Sequence, residues 1–314
     1  MGLEYIIVLS GISGLILTKN IVKLKSHSAN LENLSKFDGY LINNKPFVDP
    51  KTVEERKEKV DFARLDKIKK ELTRLEEFIP TEYRKTLYRN LETLKIEDMN
   101  TFLSLFAYGC YFPPANTISI KEEIVLRHEL FHLASIYWDE EKKEAYGGFR
   151  QTNGKVTIGI GLDEGYTDVL SERAFIVVPP SPYEREKHIA KLFELFFDDP
   201  KEMQGYYYNH NLPGFIHHME QFAPREDIIN TILKIDAIYE FNRVIGNSIS
   251  SLNFINVELS LYEWFLKSNP SIIKQAQFER LLNENLIVSA RSKIIKRKYN
   301  NSFEEEQNNQ RKIG

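Results

Sequence analysis

Apolar residues recur at intervals of three and four along the segment after Lys51, and this spacing predicts amphipathic helices. The apolar stripe consists of Leu65, Ile68, Leu72, Leu75 and Ile79. Pro80 interrupts the pattern, and a second helical stretch follows over residues 81–95. Because a one-sided apolar stripe is stable only when it is buried, we expect this face to pack against the rest of the protein.

A different pattern surrounds residues 124–134. Apart from Arg127 and the residues of the His128–His132 pentapeptide, every position is apolar, and the stretch contains neither Gly nor Pro. This is typical of a helix buried in the middle of a domain. Upstream, residues 111–120 combine a Pro-Pro turn with a β-prone run, which predicts a short strand that leads into the helix.

The residues between 147 and 160 predict a β-hairpin. Two β-prone runs, 147–151 and 156–160, flank the sequence Thr-Asn-Gly-Lys, and Asn-Gly between such runs is a strong hairpin signal. A hairpin returns the chain to its starting point. The hairpin is interpreted either as a wall or flap near a cleft or as an ordinary surface feature.

The remaining pattern is helical. A Pro-rich connector at 177–182 ends the preceding helix, and helical stretches from Tyr183 to Lys298 are separated near Pro213, Pro224 and Pro270. We predict an α+β, mainly helical fold with a small sheet. Its parts are an N-terminal segment and linker (1–50), a core (51–182), a helical C-terminal subdomain (183–298) and a polar, disordered tail (299–314).

The composition, charge and cysteine count favour some classes of protein over others. The 314 residues are 42% hydrophobic and 28% charged, which is enough to bury a substantial core. A formal charge of −3 provides no electrostatic argument for nucleic acid binding. Cys110 is the only cysteine, so no internal disulfide can form.

The N-terminal run 5–18 is uncharged and apolar, but a spanning helix needs about 20 apolar residues. A secretory signal would require a basic n-region, which this run lacks; lysines follow it instead. Two interpretations stay open, a membrane anchor and a buried segment. The positive-inside tendency places the protein in the cytoplasm if the run enters a bilayer.

The chemistry begins with the pentapeptide His128-Glu129-Leu130-Phe131-His132. On a helix, His128 and His132 lie one turn apart and can bind the same Zn²⁺. Glu129 can then act as general base towards a water that the metal activates. The alternative is a core helix whose histidines pair with carboxylates.

An acidic segment downstream, residues 161–168, offers carboxylates that could complete a metal site with the two histidines. A catalytic zinc site needs a third protein ligand, and Glu164 is the natural candidate. Asp168, four residues later on the same helical face, can accept a hydrogen bond from a metal-bound histidine. Gly165 permits a close approach of the two helices. The alternative is a helix start with Asp163 as its N-cap and solvated acids behind it.

The pairing of HELFH with the later LDEGYTD resembles the gluzincin metallopeptidases, which include thermolysin-like and aminopeptidase-like zinc enzymes. The resemblance covers residues 111–173. It implies a zincin-like core with two central motif helices, in which His128, His132 and Glu164 bind Zn²⁺, Glu129 is the base and Asp168 orients His128. The chain departs from the family in having Asp163 where asparagine is usual and a long spacer of 31 residues (133–163).

The resemblance also implies where a peptide or protein substrate would bind. Similar enzymes pair an extended peptide with a sheet-edge strand upstream of the motif, which here corresponds to Thr117, Ile118 and Ser119. They also carry a Tyr or His that stabilises the oxyanion on the C-terminal side of the cleft. The sequence does not choose among the candidates Tyr206, Tyr207, Tyr208, His210, His217 and His218.

Two functions from different classes follow. The first is a zinc-dependent hydrolysis of peptide bonds. The second is a non-catalytic, metalloprotease-like binding or regulatory protein that keeps zinc for structure. The presence of Glu129 favours the first, because a purely structural site has no use for a general base.

Overall fold

The computed structural model describes residues 49–99, 109–152, 157–176, 181–244, 248–268, 270–283 and 296. It is mainly helical with two small sheets, which confirms the predicted α+β class. The run 5–18, the tail 299–314 and most of the linker lie outside the described residues. Among the described helices, none combines the length and apolar character that crossing a bilayer requires.

Three short helices begin the described chain: α1 (Val53–Lys57), α2 (Lys69–Phe78) and α3 (Lys85–Leu91). All five residues of the predicted stripe are buried, so the expectation that it packs inward is confirmed. The helical pattern between Lys51 and Ile79 is not one continuous helix, because loops and a 3₁₀ turn separate α1 from α2. Likewise, residues 95–98 form strand β1 rather than the end of a helix.

The first sheet has the strand order β1–β3–β2. Strand β3 (Thr117–Ile120) pairs in parallel with β1 (Lys95–Asp98) and antiparallel with β2 (Gly109–Phe112). The predicted strand at 117–120 is therefore confirmed, but its expected position at the sheet edge is wrong. In the part of the chain that is described, β2 forms the edge beside the motif helix.

The motif segment forms helix α4 (Leu126–Ser135), which follows a 3₁₀ turn at Glu123–Val125. Asn90 of α3 fixes the end of α4, because its side-chain amide donates to the carbonyl oxygens of Leu133 and Ile136, both at 2.7 Å. The helix is buried from His128 to Ser135, as its apolar sequence predicts.

A four-stranded antiparallel sheet follows, in the order β4 (Ile136–Asp139), β5 (Glu144–Gly147), β6 (Arg150–Thr152) and β7 (Thr157–Ile158). The pairing of Gln151 with Ile158 confirms the predicted hairpin. Its Asn-Gly turn lies outside the described residues. The preceding hairpin, β4–β5, was not apparent in the sequence.

The rest of the described chain is helical. The long helix α5 (Ile160–Ala174) carries the second motif and ends before the predicted connector. The six helices after it are α6 (Glu184–Glu194), α7 (Pro200–Tyr208), α8 (Leu212–Met219), α9 (Arg225–Val244), α10 (Ser248–Lys267) and α11 (Ile272–Leu282). The segment between Asp199 and Pro224, which holds the six oxyanion candidates, is not a loop. Helices α7 and α8 occupy most of it, with Pro200 and Pro213 in their first turns.

One hydrophobic cluster runs from α2 through the motif helices to α11. Two helices approach each other closely at Gly165, where a β-carbon would lie 2.3 Å from the backbone of Glu186. Gly165 therefore brings α5 close to α6, and not to α4 as the sequence suggested. The predicted division between 51–182 and 183–298 stays a prediction.

Candidate metal centre

Helix α4 places His128 and His132 on one inward face. Both side chains are buried, as is Glu129 between them. Their imidazole centroids are 4.7 Å apart, with the ring planes at 73°. The spacing of four residues on a regular helix thus turns both rings towards the same neighbouring helix, α5.

Helix α5 presents Glu164 to these histidines, and its first turn is held from a distant helix. Gly159 precedes the helix with φ +80°, a conformation that glycine adopts without strain. The carboxylate of Asp236, on α9, accepts hydrogen bonds from the backbone N–H of Gly159 at 2.8 Å and of Gly161 at 2.9 Å. This side chain therefore caps the helix that carries Glu164, a role that Asp163 does not play.

Three ligand atoms meet between the helices. Nε2 of His128 and Nε2 of His132 are 3.0 Å apart, and each is 3.2 Å from Oε2 of Glu164. Donor atoms on a tetrahedral zinc ion with bonds of about 2.0–2.1 Å are about 3.3 Å apart. The three residues form a buried group that could hold a metal ion, and their nitrogen and oxygen donors suit zinc.

The electrostatics of the group favour a positive charge. Burial disfavours a charged imidazole, yet the hydrogen bonds with Asp168 and Glu164 raise the pKa of His128 well above its usual value. Burial would raise the pKa of Glu164, but the histidines hold it well below its usual value. A site that stabilises a carboxylate and draws a proton onto its histidine is one into which a cation fits.

Asp168 contacts His128, as the resemblance implied. Its Oδ1 lies 2.6 Å from Nδ1 of His128, on the side of the ring away from the other ligands. Its second oxygen accepts a hydrogen bond from the hydroxyl of Ser181. Because an ionised carboxylate only accepts hydrogen bonds, this contact favours a proton on Nδ1 and directs Nε2 towards Glu164 and His132.

Asp163 occupies the corresponding place beside His132. Its Oδ1 accepts the backbone N–H of Phe149 at 3.0 Å. Its Oδ2 lies 3.6 Å from Nδ1 of His132 and 3.4 Å from the guanidinium of Arg150. Neither Oδ2 nor Nδ1 has a hydrogen-bond partner among the described residues. Burial raises the pKa of Asp163, and Arg150 opposes that rise.

Glu129 lies next to strand β2. Its Oε2 accepts the backbone N–H of Tyr111 at 2.8 Å. A β-carbon on Gly109 would lie 2.5 Å from the side chain of Val125 and 3.1 Å from Oε1, so a larger residue here would crowd both side chains. Strand β2 thus holds Oε2 of Glu129, whereas Oε1 takes no part in this hydrogen bond.

The residues predicted to bind substrate lie one strand away from Glu129. Thr117, Ile118 and Ser119 lie on β3, which β2 separates from Glu129, and their role in substrate binding stays a prediction. Tyr183 and Tyr239 are additions that the sequence did not suggest. Tyr183 lies 5.9 Å from the ring of His128 and 5.6 Å from that of Tyr239.

Two further residues, Arg150 and Asp236, were also missed. The hairpin pattern indicated where Arg150 would return to the site, but not which side chain would face inward. No sequence pattern links Asp236 to a helix that begins at Ile160.

Comparison of the sequence and structure with protein families, curated proteins and solved structures finds no match.

Proposed function

We propose that this protein is a zinc-dependent peptidase of the gluzincin type. The observation that carries the proposal is the convergence of His128, His132 and Glu164 on one point, with Glu129 one helical position from the first histidine. The hydrogen bond between Asp168 and His128 supports it independently, because metal-binding histidines commonly donate their second N–H to a carboxylate.

Zinc bound by the three ligands would supply Lewis acidity, which lowers the pKa of a water and polarises a carbonyl. Glu129 takes the proton from the attacking water while the oxygen–carbon bond forms. It then delivers that proton to the amide nitrogen as the carbon–nitrogen bond breaks, so that one water and one peptide bond give a carboxylic acid and an amine. Tyr111 holds one carboxylate oxygen during both transfers.

The electrostatic environment favours this use of Glu129. Burial excludes bulk water from the proton's path and strengthens each interaction in the site. The His128–Asp168 hydrogen bond keeps the ring of His128 in place, and Asp163 lies 3.6 Å from Nδ1 of His132. A structural zinc site would require the ligands alone, so the held carboxylate of Glu129 favours hydrolysis over the binding or regulatory alternative.

Glu129→Gln is the decisive test. The amide is nearly isosteric, so the variant should fold and bind zinc, but it cannot take a proton from water. Glu122→Gln, on the exposed approach to α4, is the matched control and should cleave as the wild type does. Zinc content and cleavage of a mixed peptide library are measured side by side. Equal cleavage by Glu129→Gln and the wild type would refute the hydrolytic mechanism.

The broader expectations also belong to this proposal. The substrate is a peptide or protein, and nucleic acid is not a partner. The protein acts in the cytoplasm, either free or anchored through residues 5–18. Cell fractionation of the full chain beside one that lacks residues 1–20 would separate these two.

A further inference from the structure

The guanidinium of Arg150 lies beside the third ligand. From β6 it reaches within 3.4 Å of Oδ2 of Asp163 and 3.9 Å of Oε1 of Glu164, the oxygen that does not face the histidines. Both separations exceed those of good N–H···O hydrogen bonds. A guanidinium carries five N–H groups, which these two contacts do not saturate. About a fifth of the side chain is exposed, at 20%, so a ligand can reach it.

We propose that Arg150 is the oxyanion-binding group of this site. It would donate hydrogen bonds to an oxygen bound beside the His128–His132–Glu164 group, and during hydrolysis to the carbonyl oxygen that becomes negative. A planar fork of N–H groups suits an oxyanion better than a point charge does. Asp163 holds the side chain from one side and so orients the fork. This inference rests on the proposed metal-dependent hydrolysis.

Four of the six residues that the sequence offered as oxyanion-binding candidates contact residues outside the His128–His132–Glu164 group. The hydroxyl of Tyr207 is 2.7 Å from that of Thr167, and Nε2 of His210 is 3.1 Å from the hydroxyl of Thr86. His218 stacks on Phe197 at 4.1 Å. His217 is largely exposed and pairs with Glu220. Tyr239 interacts with Arg150, and its hydroxyl could also donate a hydrogen bond to an oxyanion. A variant of Tyr239 is therefore the comparison for variants of Arg150.

A purely structural role for Arg150 must be separated from this one. Asp163 replaces the asparagine that is usual in gluzincins, and Arg150 could serve only to balance the extra buried charge. The double variant Asp163→Asn/Arg150→Met removes both charges together. If charge balance were the whole role, the double variant would recover what Arg150→Met loses. If Arg150 binds the oxyanion, the double variant stays defective.

The experiment measures the affinity of inorganic phosphate, a tetrahedral oxyanion, for zinc-loaded protein by titration calorimetry. Zinc content is determined before and after each titration. Arg150→Met and the double variant should each bind phosphate about 10- to 100-fold more weakly than the wild type. Tyr239→Phe should stay within about threefold of it. Arg150→Lys, which keeps the charge but not the fork, should be intermediate and serves if Arg150→Met loses zinc.

Three results would overturn the inference: recovery of phosphate affinity in the double variant, a larger loss in Tyr239→Phe than in Arg150→Lys, or equal affinity with and without Arg150. None of them depends on turnover. An inactive but zinc-loaded wild type would refute the proposed hydrolysis while leaving the phosphate result to stand. Zinc-loaded protein that binds phosphate without regard to Arg150 would refute this inference alone.

Discussion

At the scale of single residues, both candidate metal-binding histidines have an acidic neighbour. Asp168 is 2.6 Å from His128, whereas Asp163 is 3.6 Å from His132 and is shared with Arg150. The first contact is a short hydrogen bond, and the second leaves two buried polar atoms without one. The two histidines therefore differ in how firmly they are held before a metal binds.

Asp168→Asn should fold but bind zinc about 10- to 100-fold more weakly, because His128 loses the acceptor that fixes its ring. Asp163→Asn is the matched comparison and should lose less, since its contact with His132 is longer. Chelator competition measures both affinities. An Asp168→Asn variant with the zinc affinity of the wild type would contradict the role assigned to this carboxylate.

At the scale of elements, the site depends on how closely α5 packs against helices that were not part of either motif. Gly165 lets α5 approach the backbone of α6, and Gly161 lies against the backbone of Ile235 on α9. Asp236 of α9 caps the first turn of α5. The position of Glu164 on α5 thus depends on the packing of α6 and α9 and not on the local sequence alone.

Gly165→Ala should destabilise the protein by about 1–3 kcal/mol, because the added methyl group would overlap the backbone of Glu186. This figure is net of the gain of about 1 kcal/mol that alanine offers in helix propensity. Gly205→Ala in α7 is the control, since its methyl group would meet only the hydroxyl end of Tyr83. Denaturant unfolding compares the two, and equal stabilities would contradict the close packing of α5 on α6.

Asp236 should make stability depend on pH. Burial raises its pKa to about 7 from an ordinary 3.8. The folded state then binds more protons than the unfolded state between these values, so the free energy of unfolding falls as pH rises through this window. The buried His210, whose pKa is lowered to about 4, acts in the opposite direction between pH 4 and 6.5.

Comparison with Asp236→Asn isolates the carboxylate, because all other groups cancel. From pH 4 to 7 the difference in unfolding free energy should move in favour of the variant by up to about 1.4 kcal/mol per pH unit. Urea unfolding at several pH values measures it. A difference that stays constant across the window would show that Asp236 does not titrate there.

At the scale of the whole molecule, zinc would join two helices that lie at the centre of one hydrophobic cluster. A ligand that binds only the folded state stabilises it by about 2.7 kcal/mol when its free concentration is about 100 times Kd. Removal of zinc by a chelator should therefore lower the Tm of the wild type by several degrees. Glu164→Ala and His132→Ala should contain little zinc and show no such shift.

Calorimetric melting with and without chelator provides the measurement, with metal content determined in parallel. Addition of zinc after the chelator should restore the wild-type Tm. Full zinc occupancy in Glu164→Ala would show that another acid is the third ligand, and Asp163 and Asp168 are the nearest alternatives.

The sequence by itself determined the elements whose signals are local. Periodic apolar residues predicted the buried face of α2, and an almost wholly apolar run predicted the buried helix α4. The Asn-Gly pair between two β-prone runs predicted the β6–β7 hairpin, and four-residue spacings placed His128 near His132 and Asp168 near Glu164. These features depend on 3.6 residues per turn or on one turn type, so a short stretch of chain suffices to predict them.

Only the tertiary structure decided what depends on residues far apart in the chain. Strand β1 forms because β3 offers it a parallel partner, β3 is central because β1 covers it, and α5 is capped from α9, 77 residues away. The approach of Arg150 to Glu164 likewise depends on the packing of a hairpin against a helix. Such contacts reflect shape and burial across the whole core, which periodicity along the chain does not encode.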